Sequence, residues 1–185
     1  MTKIYYDTEF HEQGPDSPID LISIGMVTEH GSELYAVSSE FDQNAVRANP
    51  WLVENVWPSL PTYKHPKGVR CACGPGHLDR AHPDVRSRPQ IARMVQRFIT
   101  AVPDPVLVAY YGSYDHVVLA QLWGRMADMP EGVPMWTWDI RQEMHCLGVD
   151  ELPRQEEGQH NALADARHNK VMDDYLTGVR LRRGL

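Results

Sequence analysis

The sequence predicts an α/β fold: a mixed β-sheet, with an antiparallel meander plus parallel strands, flanked by α-helices. Three features predict it. Three strand-type segments crowd the first 37 residues, and a His30-Gly31 turn joins the second to the third. A helix with apolar residues at helical spacing then leads into a short, continuously apolar strand. The remainder reads as helices.

In chain order, Lys3 to Asp7 is a short strand rich in Ile and Tyr. Gly14, Pro15 and Pro18 make His11 to Pro18 a loop. Ile19 to Val27 is a nearly continuous apolar run and Ser32 to Val37 alternates, which together read as a hairpin. Asn44 to Trp57 is weakly helical, with Pro58 as its stop, and Pro58 to Pro83 is loop-like. Ser87 is a candidate N-cap with Pro89 in the first turn. Ile91, Met94, Val95, Phe98 and Ile99 then give one apolar helical face. Pro105 to Tyr111 is a buried-type strand, and Tyr114 to Met126, Asp139 to Leu147 and His160 to Leu181 are helices. No internal repeat, low-complexity tract or linker divides the chain, so it reads as one domain over residues 1–185.

Hydrophobic residues make up 42% and charged residues 23%, which excludes wholesale disorder. No apolar run approaches the ~18 residues of a membrane span, and no signal-type apolar region follows Met1. Three cysteines argue against a disulfide scaffold and for a reducing, cytoplasmic setting. Net charge is −7, which by itself disfavours a polyanionic partner. The charge is uneven, however. Thr62 to Arg97 carries net +6 and leaves −13 elsewhere, a pattern open to two readings: a solvated basic loop, or a basic wall beside an acidic site.

The acidic site has candidates. Asp7-Thr8-Glu9 is the chain's one Asp-x-Glu and stands where the first strand ends. Strand periodicity puts both carboxylates on one face, where they repel unless a cation lies between them or one is protonated. Hard divalent ions take oxygen ligands of this kind. Asp115 follows the buried-type strand, the place where α/β folds bind ligands, although it also suits a helix cap. His160 and Asp165 open the last helix. Spacing alone is uninformative there, because four of the nine histidines have an Asp five residues on. His160 differs in context. It follows the polar loop from Arg154 to Gln159, and Ala162, Ala164 and Ala166 leave room around Asp165.

Taken in order, Asp7-x-Glu9, Asp115 and His160-x-x-x-x-Asp165 resemble the DEDDh 3′-5′ exonuclease superfamily. A narrower exoribonuclease group within it is resembled through Asp7-Thr8-Glu9-Phe10, Leu21-Ile22-Ser23-Ile24-Gly25 and Tyr35 to Asp42. Gly112 to Val117, Gln121 to Gly124 and Ala162 to Asn169 extend the likeness over nearly the whole chain, most weakly from Pro61 to Pro83. Tyr110-Tyr111 stands where many superfamily members carry His-Asn, and Phe10 stands where Thr or Ser is usual. The resemblance implies an RNase H-like fold and two Mg²⁺ or Mn²⁺ ions held by Asp7, Glu9, Asp115 and Asp165. It further implies His160 as general base, a single-stranded RNA 3′ end with adenine preference as substrate, and a homodimer. Phe10 and Ser23 are candidate contacts to the terminal base, each with an ordinary strand role as the alternative.

Cys71, Cys73, His77 and His82 could hold zinc, but their spacing matches no common structural site. Trp123, Trp136 and Trp138 read as core or subunit-interface aromatics. Cys146 reads as buried in its helix. Competing functions are a 3′-5′ DNA exonuclease, a catalytically silent RNA-binding protein on the same fold, and a purely structural cation site.

Overall fold

The computed structural model describes residues 1–63 and 76–185. Strands β1 (Thr2–His11), β2 (Asp20–Thr28) and β3 (Glu33–Ser38) form the antiparallel meander. Two short helices follow, α1 (Gln43–Ala48) and α2 (Pro50–Asn55), then a 3₁₀ turn over Trp57–Ser59. β4 (Thr62–Tyr63) and β5 (His77–Leu78) pair as a small separate ribbon. β6 (Val85–Arg86), α3 (Arg88–Thr100), β7 (Pro105–Ala109), α4 (Ser113–Ala120), β8 (Thr137–Asp139), α5 (Ile140–Cys146) and α6 (Ala162–Arg183) complete the chain.

The main sheet has the order β6-β3-β2-β1-β7-β8. β7 runs parallel to both β1 and β8, and β6 runs parallel to β3, so the sheet is mixed as expected. Helices cover both faces. Ile4, Tyr6, Ile24 and Met26 meet Ile91, Val95 and Ile99 of α3 with Val118 and Leu119 of α4. Tyr5, Val106 and Val108 meet Ile140, Met144, Met172 and Leu176 of α5 and α6. Central strands buried on both faces explain the continuous apolar runs at Ile19 to Val27 and Val106 to Ala109.

Several boundaries differ from the sequence reading, for local reasons. β1 runs on to His11, because β2 pairs with it along its whole length. The weak helix from Asn44 splits at Asn49, whose extended backbone precedes Pro50 and whose side chain accepts from the Trp51 and Leu52 amides. Pro58 lies inside the 3₁₀ turn rather than ending a helix. α4 stops at Ala120, short of Met126, and Gly124 follows at φ +98°. β8, three residues long, carries no alternation that periodicity could detect. The Ser87 cap is confirmed, with Gln90 completing a capping box.

Cys146 is exposed, contrary to expectation, because it lies on the outer side of α5 while Met144 and Leu147 face inward. Trp123 does pack on the core, whereas Trp136 and Trp138 stand exposed beside the β8 edge. Of the suspected zinc ligands, Cys71 and Cys73 lie outside the described residues. His77 contacts Arg47, and His82 Nδ1 accepts from the Asp84 amide. Among the described residues no helix is long and apolar enough to cross a membrane.

Candidate active site

The site forms where β1 and β7 part. Their ladder ends at the pair Tyr5–Val108, while β1 continues for six residues. Main-chain groups beyond that point need other partners. The Tyr6 carbonyl accepts from Asn169 Nδ2 of α6 at 2.9 Å, and the Thr8 amide donates to Asp115 Oδ1 at 2.8 Å. Asp115 also accepts from Thr8 Oγ1 at 2.6 Å. The gap is thus filled from both faces of the sheet, and a cleft of about 590 Å³ opens over it.

Alternation along β1 sends Lys3, Tyr5, Asp7 and Glu9 to the α6 side. Lys3 and Tyr5 meet Asp173 near the middle of that helix, at 2.7 and 2.8 Å. Asp7 and Glu9 line the cleft beside its first turn, where Asp165 stands. Asp115 arrives from α4, and His160 from the loop before α6. All five predicted catalytic side chains line this one cleft. Glu9, His160 and Asp165 each present a ligand atom, and these atoms lie within 4.8 Å of one another.

The backbone holds this arrangement under strain. His160 has φ +61°, a left-handed conformation that non-glycine residues rarely adopt. Its amide donates to Asp165 Oδ2 at 2.9 Å, its carbonyl accepts from Ser59 Oγ at 3.0 Å, and its ring meets Trp51 edge-on at 4.9 Å. Gln155 Nε2 donates to the other oxygen, Asp165 Oδ1, at 2.7 Å. Asn161 caps α6 through the Ala164 amide. Tyr111, at φ +55°, lies on the cleft wall with its side chain exposed, as does Tyr114.

Electrostatics follow from crowding four carboxyls in a poorly solvated place. Burial, then repulsion from Asp165 and Asp115, pushes Glu9 up to about 8. Burial raises Asp7 well above the usual carboxylate range, with repulsion from Asp115, Glu9 and Asp165 adding to it. Burial lifts Asp115 to about 6, against the pull of the two Thr8 hydrogen bonds. Asp165 is raised by burial, opposed by its bonds from Gln155 and His160. Four acids that resist losing their protons together fit a site completed by positive charge. Their oxygens match the preference of Mg²⁺ or Mn²⁺, and these residues fit such ions.

Other expectations fare unevenly. Phe10 lines the cleft, half-buried. Ser23 pairs across the ladder with Glu9 but is fully buried and absent from the cleft wall. Among the described residues, none of the basic run from Arg80 to Arg97 lines the cleft. The Arg88 guanidinium instead pairs with Asp20 while its amide donates to Glu40, and Arg86 turns to the Val85 carbonyl. The sequence reading did not single out Thr8, Trp51, Ser59, Gln155 or Asn169 for the site. Thr8 and Asn169 stood inside motifs already marked and Gln155 in the polar loop before His160, whereas Trp51 and Ser59 belonged to no motif.

Known structures and sequences fit this geometry. Exonuclease I in its apo form superposes with a TM-score of 0.61 at 13% identity, over 98% of this chain and 43% of its own. E. coli exonuclease I in complex with a dT13 oligonucleotide gives 0.60 at 12% identity, over 98% and 42%. The chain therefore spans less than half of those proteins, and the likeness establishes the fold, a mixed sheet flanked by helices as in exonuclease I. No family model matches the chain. Two curated Mycobacterium tuberculosis proteins do: the 3′-5′ exoribonuclease Rv2179c of strain H37Rv and the 3′-5′ exoribonuclease MT2234.1 of strain CDC 1551. Each is 40% identical over 167 residues, covering 89% of this chain and 87% of the relative. The protein belongs to this 3′-5′ exoribonuclease family.

Proposed function

We propose that the protein removes nucleotides one at a time from the 3′ end of single-stranded RNA by a reaction that needs two divalent cations. The observation that carries this reading is the convergence of Asp7, Glu9, Asp115, Asp165 and His160 on one cleft. Asp7, Glu9 and Asp165 would hold one Mg²⁺ or Mn²⁺, and Asp7 with Asp115 the other. When bound, such ions acidify water and offset negative charge developing on a phosphate. The positive charge of two ions balances four carboxylates, which removes the repulsion that raises their pKa values.

His160 is the general base in this reading. Its ring stands at the rim of the carboxylate cluster, and imidazole suits proton removal near neutral pH. Asp165 Oδ2, the Ser59 hydroxyl and the Trp51 ring fix its position. Phe10 packs against the terminal base, where an aromatic face accepts any base by stacking. Ser23, buried behind Glu9, supports the strand. The products are 5′-nucleoside monophosphates and an RNA chain shortened at its 3′ end.

Adenylate-rich ends, a homodimer and a cytoplasmic setting complete the proposal. The apolar surface for a second copy is offered by exposed Met135, Trp136 and Trp138 at the β8 edge. The test is digestion of 5′-labelled and 3′-labelled oligoadenylate, with matched RNA and DNA of mixed sequence, with and without EDTA. A ladder shortening from the 3′ end, release of AMP and dependence on Mg²⁺ or Mn²⁺ are expected. Preferential digestion of DNA would move the assignment to a DNA exonuclease, because the 2′-OH is the group that separates the substrates. RNA binding without turnover would leave a silent fold.

A further inference from the structure

Asp165 is brought to Asp7 and Glu9 by a helix, so the site depends on how closely α6 sits on the sheet. Two residues outside the carboxylate set control that approach. Gly25, in the middle of β2, is the cross-strand partner of Asp7. The space above it is filled by main chain. A Cβ at Gly25 would lie 2.3 Å from the carbonyl carbon and oxygen of Ala162 and 2.3 Å from the Leu163 nitrogen. These atoms belong to the first turn of α6, two to three residues before Asp165. They cannot swing aside as a side-chain end would. Gly25 is not at a positive φ, so its role is space rather than backbone freedom.

Asn169 supplies the complementary attraction. It lies one helical turn beyond Asp165 on the same face of α6, is 3% exposed, and donates its amide hydrogen to the Tyr6 carbonyl at 2.9 Å. That carbonyl belongs to the peptide joining Tyr6 to Asp7. One residue therefore permits contact between helix and strand, and the other ties it at the peptide that carries a ligand.

We propose that Gly25 and Asn169 are positioning residues for the cation site, setting the height of α6 over β1 and hence the span from Asp165 to Asp7 and Glu9. The inference rests on the reading of those carboxylates as cation ligands. Restoring ordinary contact distances around an alanine at position 25 requires a displacement of roughly 1 Å. A shift of that size in a reacting constellation costs about 10²-fold in rate. Loss of a residue that orients a ligand costs about 10- to 100-fold in metal affinity or activity.

The test uses Mn²⁺ alone as probe, without RNA, on the full-length protein. Equilibrium Mn²⁺ binding and the thermal shift produced by Mn²⁺ are measured for wild type, Gly25→Ala and Asn169→Ala. Ile99→Ala, in the α3 core away from α6, serves as a destabilised control. We expect Gly25→Ala to weaken Mn²⁺ binding at least about 10-fold and lower kcat about 10²-fold. Asn169→Ala should weaken binding about 10-fold, with part of the lost kcat recovered at high Mn²⁺. Ile99→Ala should lower Tm while keeping wild-type Mn²⁺ affinity, which separates positioning from mere stability. If Gly25→Ala fails to fold, Asn169→Ala decides the question. Wild-type Mn²⁺ affinity in the folded variants would overturn the positioning roles while leaving the cation site intact. Absence of saturable Mn²⁺ binding by the wild type would overturn the site itself, and this inference with it.

Discussion

Replacing Glu9 with Gln tests the electrostatic account of the site most directly. Glu9 is buried, faces Asp165 and Asp115, and has its pKa pushed up to about 8 in the metal-free protein, from 4.5. The folded state therefore holds a proton that the unfolded chain releases between those values. Stability falls with rising pH wherever the folded state binds more protons. The contribution is fully present below pH 4.5 and is lost as pH rises through 8. Each pKa unit corresponds to about 1.4 kcal/mol, so the full contribution is about 5 kcal/mol. Most of it disappears between pH 5 and pH 8. Asp7, raised in the same direction, steepens the loss. Urea melts in EDTA at pH 5 and pH 8 measure this. Wild type should be several kcal/mol less stable at pH 8. Glu9→Gln should match wild type at pH 5, exceed it at pH 8, and have no turnover. A wild-type stability that is flat or rising from pH 5 to pH 8, or an unchanged slope in the variant, would refute the reasoning.

Other consequences are as concrete. His160→Ala should lower kcat by about 10²–10⁴ while Mn²⁺ affinity stays near wild type; a large loss of affinity would make His160 a ligand rather than a base. Asp7→Asn and Asp165→Asn should each abolish turnover, and a fully active Asp7→Asn would exclude this site. Thr8→Val removes a hydroxyl that favours the charged form of Asp115, so Asp115 should ionise at higher pH. The acidic limb of the pH–rate profile should then move upward, with more activity lost at pH 6 than at pH 8. Mg²⁺ or Mn²⁺ at a hundred times its dissociation constant should stabilise the EDTA-treated protein at pH 8 by about 2.7 kcal/mol, read by differential scanning calorimetry.

The sequence made much of the fold legible where local physics governs. Alternation and apolar runs marked β1 to β3 and β7, and the Ser87 cap with Ile91, Val95 and Ile99 marked α3. It misjudged segments whose state is set by neighbours. β8 exists because β7 offers an edge to Thr137–Asp139, and the outer half of β1 because β2 extends beside it. Cys146 was misplaced because a helix of seven residues gives too little periodicity to assign its outer face.

For the site, the four carboxyls and His160 could be named from their order and from the elements they end, since strand ends and helix starts are local features. What they do to each other could not be read from order. The rise in Glu9 comes from burial and then from repulsion by Asp165 and Asp115, more than a hundred residues away, in the same pocket. The grip on His160 comes from Ser59 and Trp51, in a segment with no motif of its own. Ser23 matched the family pattern yet lies buried, because burial is set by the layers packed over a strand. Residue identities and short-range periodicity are written along the chain. Separation, desolvation and mutual repulsion arise only when distant segments meet.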